Sequence, residues 1–264
     1  MRIMLLLCVS LLVSSGITPA QQAEDLRLRV SQALREMDAS SWEVREKGFE
    51  QLPSLEEVSA SPQEVDRVKL GIIRLLSSEN ALIREYKQKG KFFTTEDHSE
   101  YYAGLIASVA AMDDERAIPA LLGAVSSGGM AIRAIVRFGD KAVGPLLDLY
   151  NTPSKELVDK SSALFTMQEM LEMQIPISEA SETKIKNALR TALKDPDYLV
   201  RYSAIRAIEY LKDREDFVPA LKELAEHDPG ENVGKEHHSL RPATEQLLQK
   251  IANHELPPRP LQHP

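Results

Sequence analysis

Cysteine is all but missing from this chain: Cys8 is the only one in 264 residues, so no intramolecular disulfide can form. Stability has to come from packed apolar side chains, and a chain of this length has interior enough for that. Aromatic residues make up only 5%, and the strict apolar–polar alternation of half-buried strands does not occur, which argues against a sheet protein. Positive charge is also short. Lys and Arg number 32 against 40 Asp and Glu, with no basic run to neutralise a phosphate backbone, so nucleic acid is not an expected partner. Catalytic signatures are missing as well. No nucleophile stands beside an identifiable base, and there is no glycine-rich phosphate loop or paired acidic motif, so the chain is not read as an enzyme and no cofactor is assigned.

The one long apolar run is at the start. Arg2 precedes Ile3 to Val13, and a small, polar stretch ends in Thr18-Pro19-Ala20. Eleven apolar residues fall short of the about 20 that a spanning helix needs. The pattern is that of a secretory signal peptide over residues 1–20, cleaved before Gln21. The expected mature chain has no cysteine, carries 31 basic against 40 acidic residues, keeps no stable membrane span and works outside the cytoplasm, in a periplasm or as a secreted protein. At the other end, residues 257–264 are too proline-rich for a helix and read as an extended, disordered tail.

Between them, residues 21–256 read as helix after helix. Lys194 to Leu211 is the clearest unit: an Asp-Pro turn runs into a helix that places Leu199, Val200, Ala204, Ala207, Ile208 and Leu211 on one face. Asp195 or Asp197 is suited to cap its first turn. Ser181 to Leu193 reads as an antiparallel partner with Ile185, Ala188, Leu189, Ala192 and Leu193 inward. Aligning other segments on Arg201, with an apolar residue seven positions later, gives Arg45 with Leu52 and Arg241 with Leu248, and Arg133 as a further equivalent. The third residue after each of Arg45, Arg201 and Arg241 is small or short: Gly48, Ala204 and Thr244. A companion pattern, with proline in the first turn, recurs around Pro119, Pro145 and Pro219.

These residues resemble HEAT-like repeats, notably the short bacterial kind found in phycobilin-lyase-type proteins, and the resemblance covers about two thirds of the chain after the leader. It implies an all-α class, an α-α superhelix of about six helix pairs, since one pair cannot bury its apolar stripe alone. The likeness extends to repeat form and not to any activity. The recurring arginines read as structural, making contacts with Asp38 and Asp195 of the turns before them.

Elsewhere the periodicity predicts helices at Glu24–Asp38 and Trp42–Leu52, a connection at Pro53–Pro62, then Glu64–Leu76, Asn80–Lys89, Ala103–Met112 and Met130–Phe138, with the longest at Lys155–Met173. Gly90 to Tyr102 breaks the spacing and holds Phe92, Phe93, Tyr101 and Tyr102. Two readings stay open for it: aromatics tucked under the loop as packing, or a recognition loop. On the helix beginning at Tyr198, the residues Tyr198, Tyr202, Arg206 and Glu209 lie together on the face away from the apolar stripe. In HEAT-like stacks the second helix of each pair lines the inner wall, so the resemblance places this row where a protein or peptide partner is received, and Tyr and Arg suit such contacts. The expected role is a non-catalytic, extracytoplasmic scaffold. Two alternatives are a metal-dependent or accessory enzyme of the cell envelope, resting on His227, His237 and His238, whose spacing fits no metal motif, and a structural module of an envelope assembly.

Overall fold

The computed structural model describes residues 18–90, 95–127, 129–152, 157–228, 231–233 and 236–255. The predicted leader and tail therefore lie almost wholly outside the described residues. Within them the chain forms twelve α-helices in six antiparallel pairs: α1 (Pro19–Met37) with α2 (Trp42–Glu50), α3 (Pro62–Gln88) with α4 (Glu96–Ala111), α5 (Ile118–Gly123) with α6 (Gly129–Arg137), α7 (Asp140–Asn151) with α8 (Leu157–Glu172), α9 (Glu179–Ala192) with α10 (Tyr198–Ile208), and α11 (Val218–His227) with α12 (Arg241–Ala252). The only sheet among the described residues is a hairpin between α11 and α12, in which β1 (Glu231–Val233) pairs antiparallel with β2 (Glu236–His238).

The pairs stack into two layers. The even helices α2, α4, α6, α8, α10 and α12 each pack on the next, and the odd helices α1 to α9 do the same behind them. One continuous apolar core fills the space between, from Val30 on α1 to Ile251 on α12. This is the quasi-one-dimensional solenoid that the sequence pattern calls for.

Local chemistry sets the helix starts. Side chains of Thr18, Ser61, Thr95, Ser178 and Asp197 each accept a hydrogen bond from a first-turn N–H that lacks an intrahelical partner. Pro119 and Pro219 stand in first turns as expected, and Pro62, expected in a connection, opens α3. Pro145 does not: α7 begins at Asp140 and carries the proline in its interior. Gly48 is required by packing, because a Cβ there would come within 2.7 Å of the Met37 amide nitrogen and 2.9 Å of the Ala33 carbonyl oxygen. Ala204 and Thr244, its counterparts, are fully buried.

Three expectations about the elements need correction. The predicted helices Glu64–Leu76 and Asn80–Lys89 are one 27-residue helix, α3, which makes it longer than the 16-residue α8 in the predicted Lys155–Met173 segment. The apolar stripe of α10 omits Leu199, which is 54% exposed, and includes Ile205. Tyr101 and Tyr102 belong to α4 and to the core, at 5% and 3% exposure, because α4 begins at Glu96 and brings them onto its inward face. The packing reading of these two tyrosines is the correct one; Phe92 and Phe93 lie outside the described residues.

Candidate functional site

Buried polar groups are the first place to look for chemistry. Arg45 on α2 lies against Glu79 on α3, its Nε donating to Glu79 Oε1, while its Nη1 donates to the carbonyl oxygens of Ala39 (3.0 Å) and Ser40 (2.9 Å). The second Glu79 oxygen is 3.2 Å from His98 Nε2 on α4, and both side chains are fully buried. Trp42 stacks on the His98 ring at 5.0 Å between centroids and 13° between planes, and Tyr101 flanks it at 6.2 Å. Burial, with the Glu79 carboxylate adding to it, pushes the Tyr101 phenol up from its ordinary value. Sequence reasoning missed both Glu79 and His98. An imidazole and a carboxylate are adjacent here, yet neither reaches solvent, so the cluster joins the first pair to the second rather than meeting a substrate.

Asn80, the next residue, continues the same stitching. It donates to the Ala120 carbonyl at 2.7 Å and accepts from the Tyr102 hydroxyl, tying the second pair to the third. Arg201 on α10 repeats the Arg45 arrangement at the other end of the stack. Its Nη1 donates to the carbonyls of Asp195 (2.9 Å) and Pro196 (2.7 Å), and its Nη2 to Asp228 Oδ1 (3.2 Å). Asp228 in turn accepts from the Leu240 N–H (2.7 Å) and the Ser239 hydroxyl (3.1 Å) at the start of α12. The recurring arginine is structural, as expected, but its partners differ from those expected. It takes main-chain carbonyls from the preceding turn and a carboxylate from the following pair. Asp38 pairs instead with Arg74, and Asp195 with Lys160. Arg133 and Arg241 are exposed and stand outside the pattern, Arg241 reaching only the Glu226 carbonyl at 3.4 Å.

The open face of the even helices is the second candidate. On α10, Tyr198 and Tyr202 stack with parallel rings 6.3 Å apart, Tyr198 half-buried against the core and Tyr202 40% exposed. Arg206, one turn on, donates to Glu209 at 2.8 Å. Glu209 itself is not a surface residue: it is buried, and it also accepts from Lys250 of α12, so its role is to join the last two pairs. Leu199, Tyr202 and Arg206 define the outward positions of α10. The same three-and-four spacing of outward positions falls on Met130, Arg133 and Arg137 in α6, on Phe165 in α8, on Glu100, Ala103 and Ala107 in α4, and on Glu43, Glu46 and Glu50 in α2.

Among the described residues no group of three or more His, Cys, Asp or Glu is placed to hold a metal ion. His227 is exposed at the end of α11, with Nδ1 3.1 Å from the Glu223 carbonyl, beside a cleft of about 240 Å³ that Arg201 and Pro196 also line. His237 and His238 fall in β2. No described helix is long and apolar enough to cross a membrane.

Comparison with known proteins finds likeness over part of the sequence and in the fold. Residues 173–240, spanning α9 to the start of α12, match the profile of HEAT repeats. Among solved structures the chain is similar to Drosophila melanogaster Mini spindles TOG3 at 17% identity, with 88% of this chain and 97% of that one covered and a TM-score of 0.55. It is more loosely similar to a designed armadillo repeat protein, at 13% identity, 84% and 99% coverage and a TM-score of 0.36. No curated protein matches the sequence.

Proposed function

We propose that this HEAT-repeat solenoid is a non-catalytic scaffold, working outside the cytoplasm, that binds a protein or peptide on the face formed by its even helices. One observation carries the reading. Of the seven large apolar side chains exposed among the described residues, four (Met130, Phe165, Leu199 and Tyr202) occupy outward positions of α6, α8 and α10, three helices that pack side by side. Single exposed apolar residues are ordinary, but a row of them in one register is what a contact surface requires. The stacked Tyr198–Tyr202 pair adds rigid aromatic area that loses little freedom on binding, and Arg206 extends it. The extracytoplasmic location rests on the leader-like residues 1–20.

The test is affinity capture from the envelope fraction with residues 21–264, beside a Tyr198→Ala/Tyr202→Ala/Arg206→Ala variant shown to be folded by circular dichroism. The expected result is a protein retained by the wild type and depleted at least tenfold in the variant. Identical captures would remove this face from the binding function.

A further inference from the structure

Charge on the even-helix face is divided in a way that the rest of the surface is not. Elsewhere, neighbouring pairs neutralise one another, as in Arg29–Glu57, Arg116–Asp66 and Lys186–Asp213. On this face they do so at α10 and α12, through Glu209, but not from α2 to α6. Glu43, Glu46 and Glu50 of α2 stand with Asp97 of α4, and no Lys or Arg among the described residues comes within ion-pair distance of any of them. The Glu46 carboxyl is pushed up by partial burial and then by Glu50 and Asp97, against a smaller opposing pull from His98, so neighbouring like charge outweighs the relief at Glu46. Two helices away on α6, Arg133 has no ionic partner among the described residues, and Arg137 reaches only the Ala110 carbonyl at 3.5 Å. Between them α4 presents Ala103 and Ala107, which are too short to bridge the two charges and leave room for a backbone to approach.

Resting on the scaffold reading above, we infer that the occupant of this face is one extended peptide segment of opposite polarity: basic residues over α2, acidic residues over α6, and apolar side chains over α8 and α10. Charge complementarity fixes the first two contacts and the exposed Phe165, Leu199 and Tyr202 fix the third. The geometry also sets the spacing. Packed helices lie about 8–10 Å apart, so α2 and α6 are separated by about 18 Å, and an extended chain rising about 3.3 Å per residue covers that in about five or six residues. A second interval of the same size separates the acidic contact from the apolar one on α10. A segment of about 16 residues spans the whole face.

The test is a displayed library of random 16-residue peptides, panned against the full chain, against Tyr198→Ala/Tyr202→Ala and against Arg133→Glu/Arg137→Glu, each checked for folding by circular dichroism. The expected consensus has a Lys/Arg block and an Asp/Glu block about five or six residues apart, followed by apolar residues. A synthetic consensus peptide should bind the arginine-reversed protein at least tenfold more weakly, and changing the peptide's acidic block to lysine should restore binding. Peptides that are lost with the tyrosine variant but indifferent to the arginine reversal would overturn this polarity and leave the scaffold reading standing. A library with nothing enriched over the tyrosine variant would overturn both.

Discussion

Replacing Arg201 with alanine should cost the protein far more than its one-residue size suggests. The guanidinium is 3% exposed, and it is the cationic partner of an Asp228 side chain that is 1% exposed. Removing it breaks a buried ion pair by taking away one partner of that carboxylate, a change worth about 3–5 kcal/mol of destabilisation. The two turn carbonyls it also holds, those of Asp195 and Pro196, are near enough to the surface for water to replace it, so they add little. Because each pair in a solenoid is stabilised mainly by its neighbours, the loss should be local: α11 and α12 lose their hold on α10 while α1 to α8 are left intact. Urea unfolding followed by far-ultraviolet circular dichroism measures the total, and amide hydrogen exchange locates it, with protection lost first in 218–252. Arg206→Ala, which breaks a half-exposed pair, is the control and should cost about 0–1 kcal/mol. Arg201→Met with Asp228→Asn should recover much of the loss, since the asparagine oxygen can still accept from the Leu240 N–H. A cost for Arg201→Ala below about 1 kcal/mol, or loss of protection spread evenly along the chain, would refute the latch.

Gly48→Ala and Gly104→Ala should have opposite signs: the first forces a Cβ against the α1 backbone and should cost about 1–3 kcal/mol by overpacking, whereas the second meets nothing within 4 Å and should gain about 0.5–1 kcal/mol from helix propensity, both read from denaturant midpoints. The Arg116 guanidinium and backbone N–H hold the Asp114 carboxyl down to about 2. The folded value is thus below the unfolded one, so this contribution is fully present above about pH 4 and is lost as pH falls through 2; Asp114→Asn should lower the melting temperature at pH 7 and lower it much less at pH 2. The Tyr101 hydroxyl is buried beside the Arg45 guanidinium and makes no hydrogen bond of good geometry among the described residues, so Tyr101→Phe should leave stability equal or raise it by about 1 kcal/mol, measured by thermal unfolding.

Helix pairing was legible because its signals are local. An Asp-Pro turn, a small residue three positions after the arginine and a 3.6-residue apolar period each report on one helix and its immediate partner, and residues 178–228 follow them closely. What escaped notice was polar and interior. Ser77-Ser78-Glu79 looked like a break before a new helix at Asn80, but Glu79 and Asn80 sit on the same inward stripe as Ile72, Leu76 and Ile83, where an acid and an amide are placed to meet Arg45, His98, Tyr102 and Ala120. The available signal was that the apolar period continues unbroken through them. Glu209 was misread for the related reason that a carboxylate was assumed to face water. Its burial follows from Lys250, 41 residues away, and a single helical wheel does not show a partner at that distance.

The same consideration separates structural arginines from those on the binding face. Arg45 and Arg201 turn inward, and each meets a carboxylate from the next pair, 34 and 27 residues later respectively. Arg133 shares their place in the repeat to within one residue, but the matching interval after it, residues 160–167, contains no Asp or Glu at all. With no acid to receive it, a guanidinium in the interior would be a buried unpaired charge, which costs far more than burying an apolar side chain. The register of α6 accordingly shifts by one: Ile132 takes the inward position, at 7% exposure, and Arg133 turns to the open face. The charge displayed on that face is therefore decided in the adjacent repeat, by whether it supplies an acid at the latch.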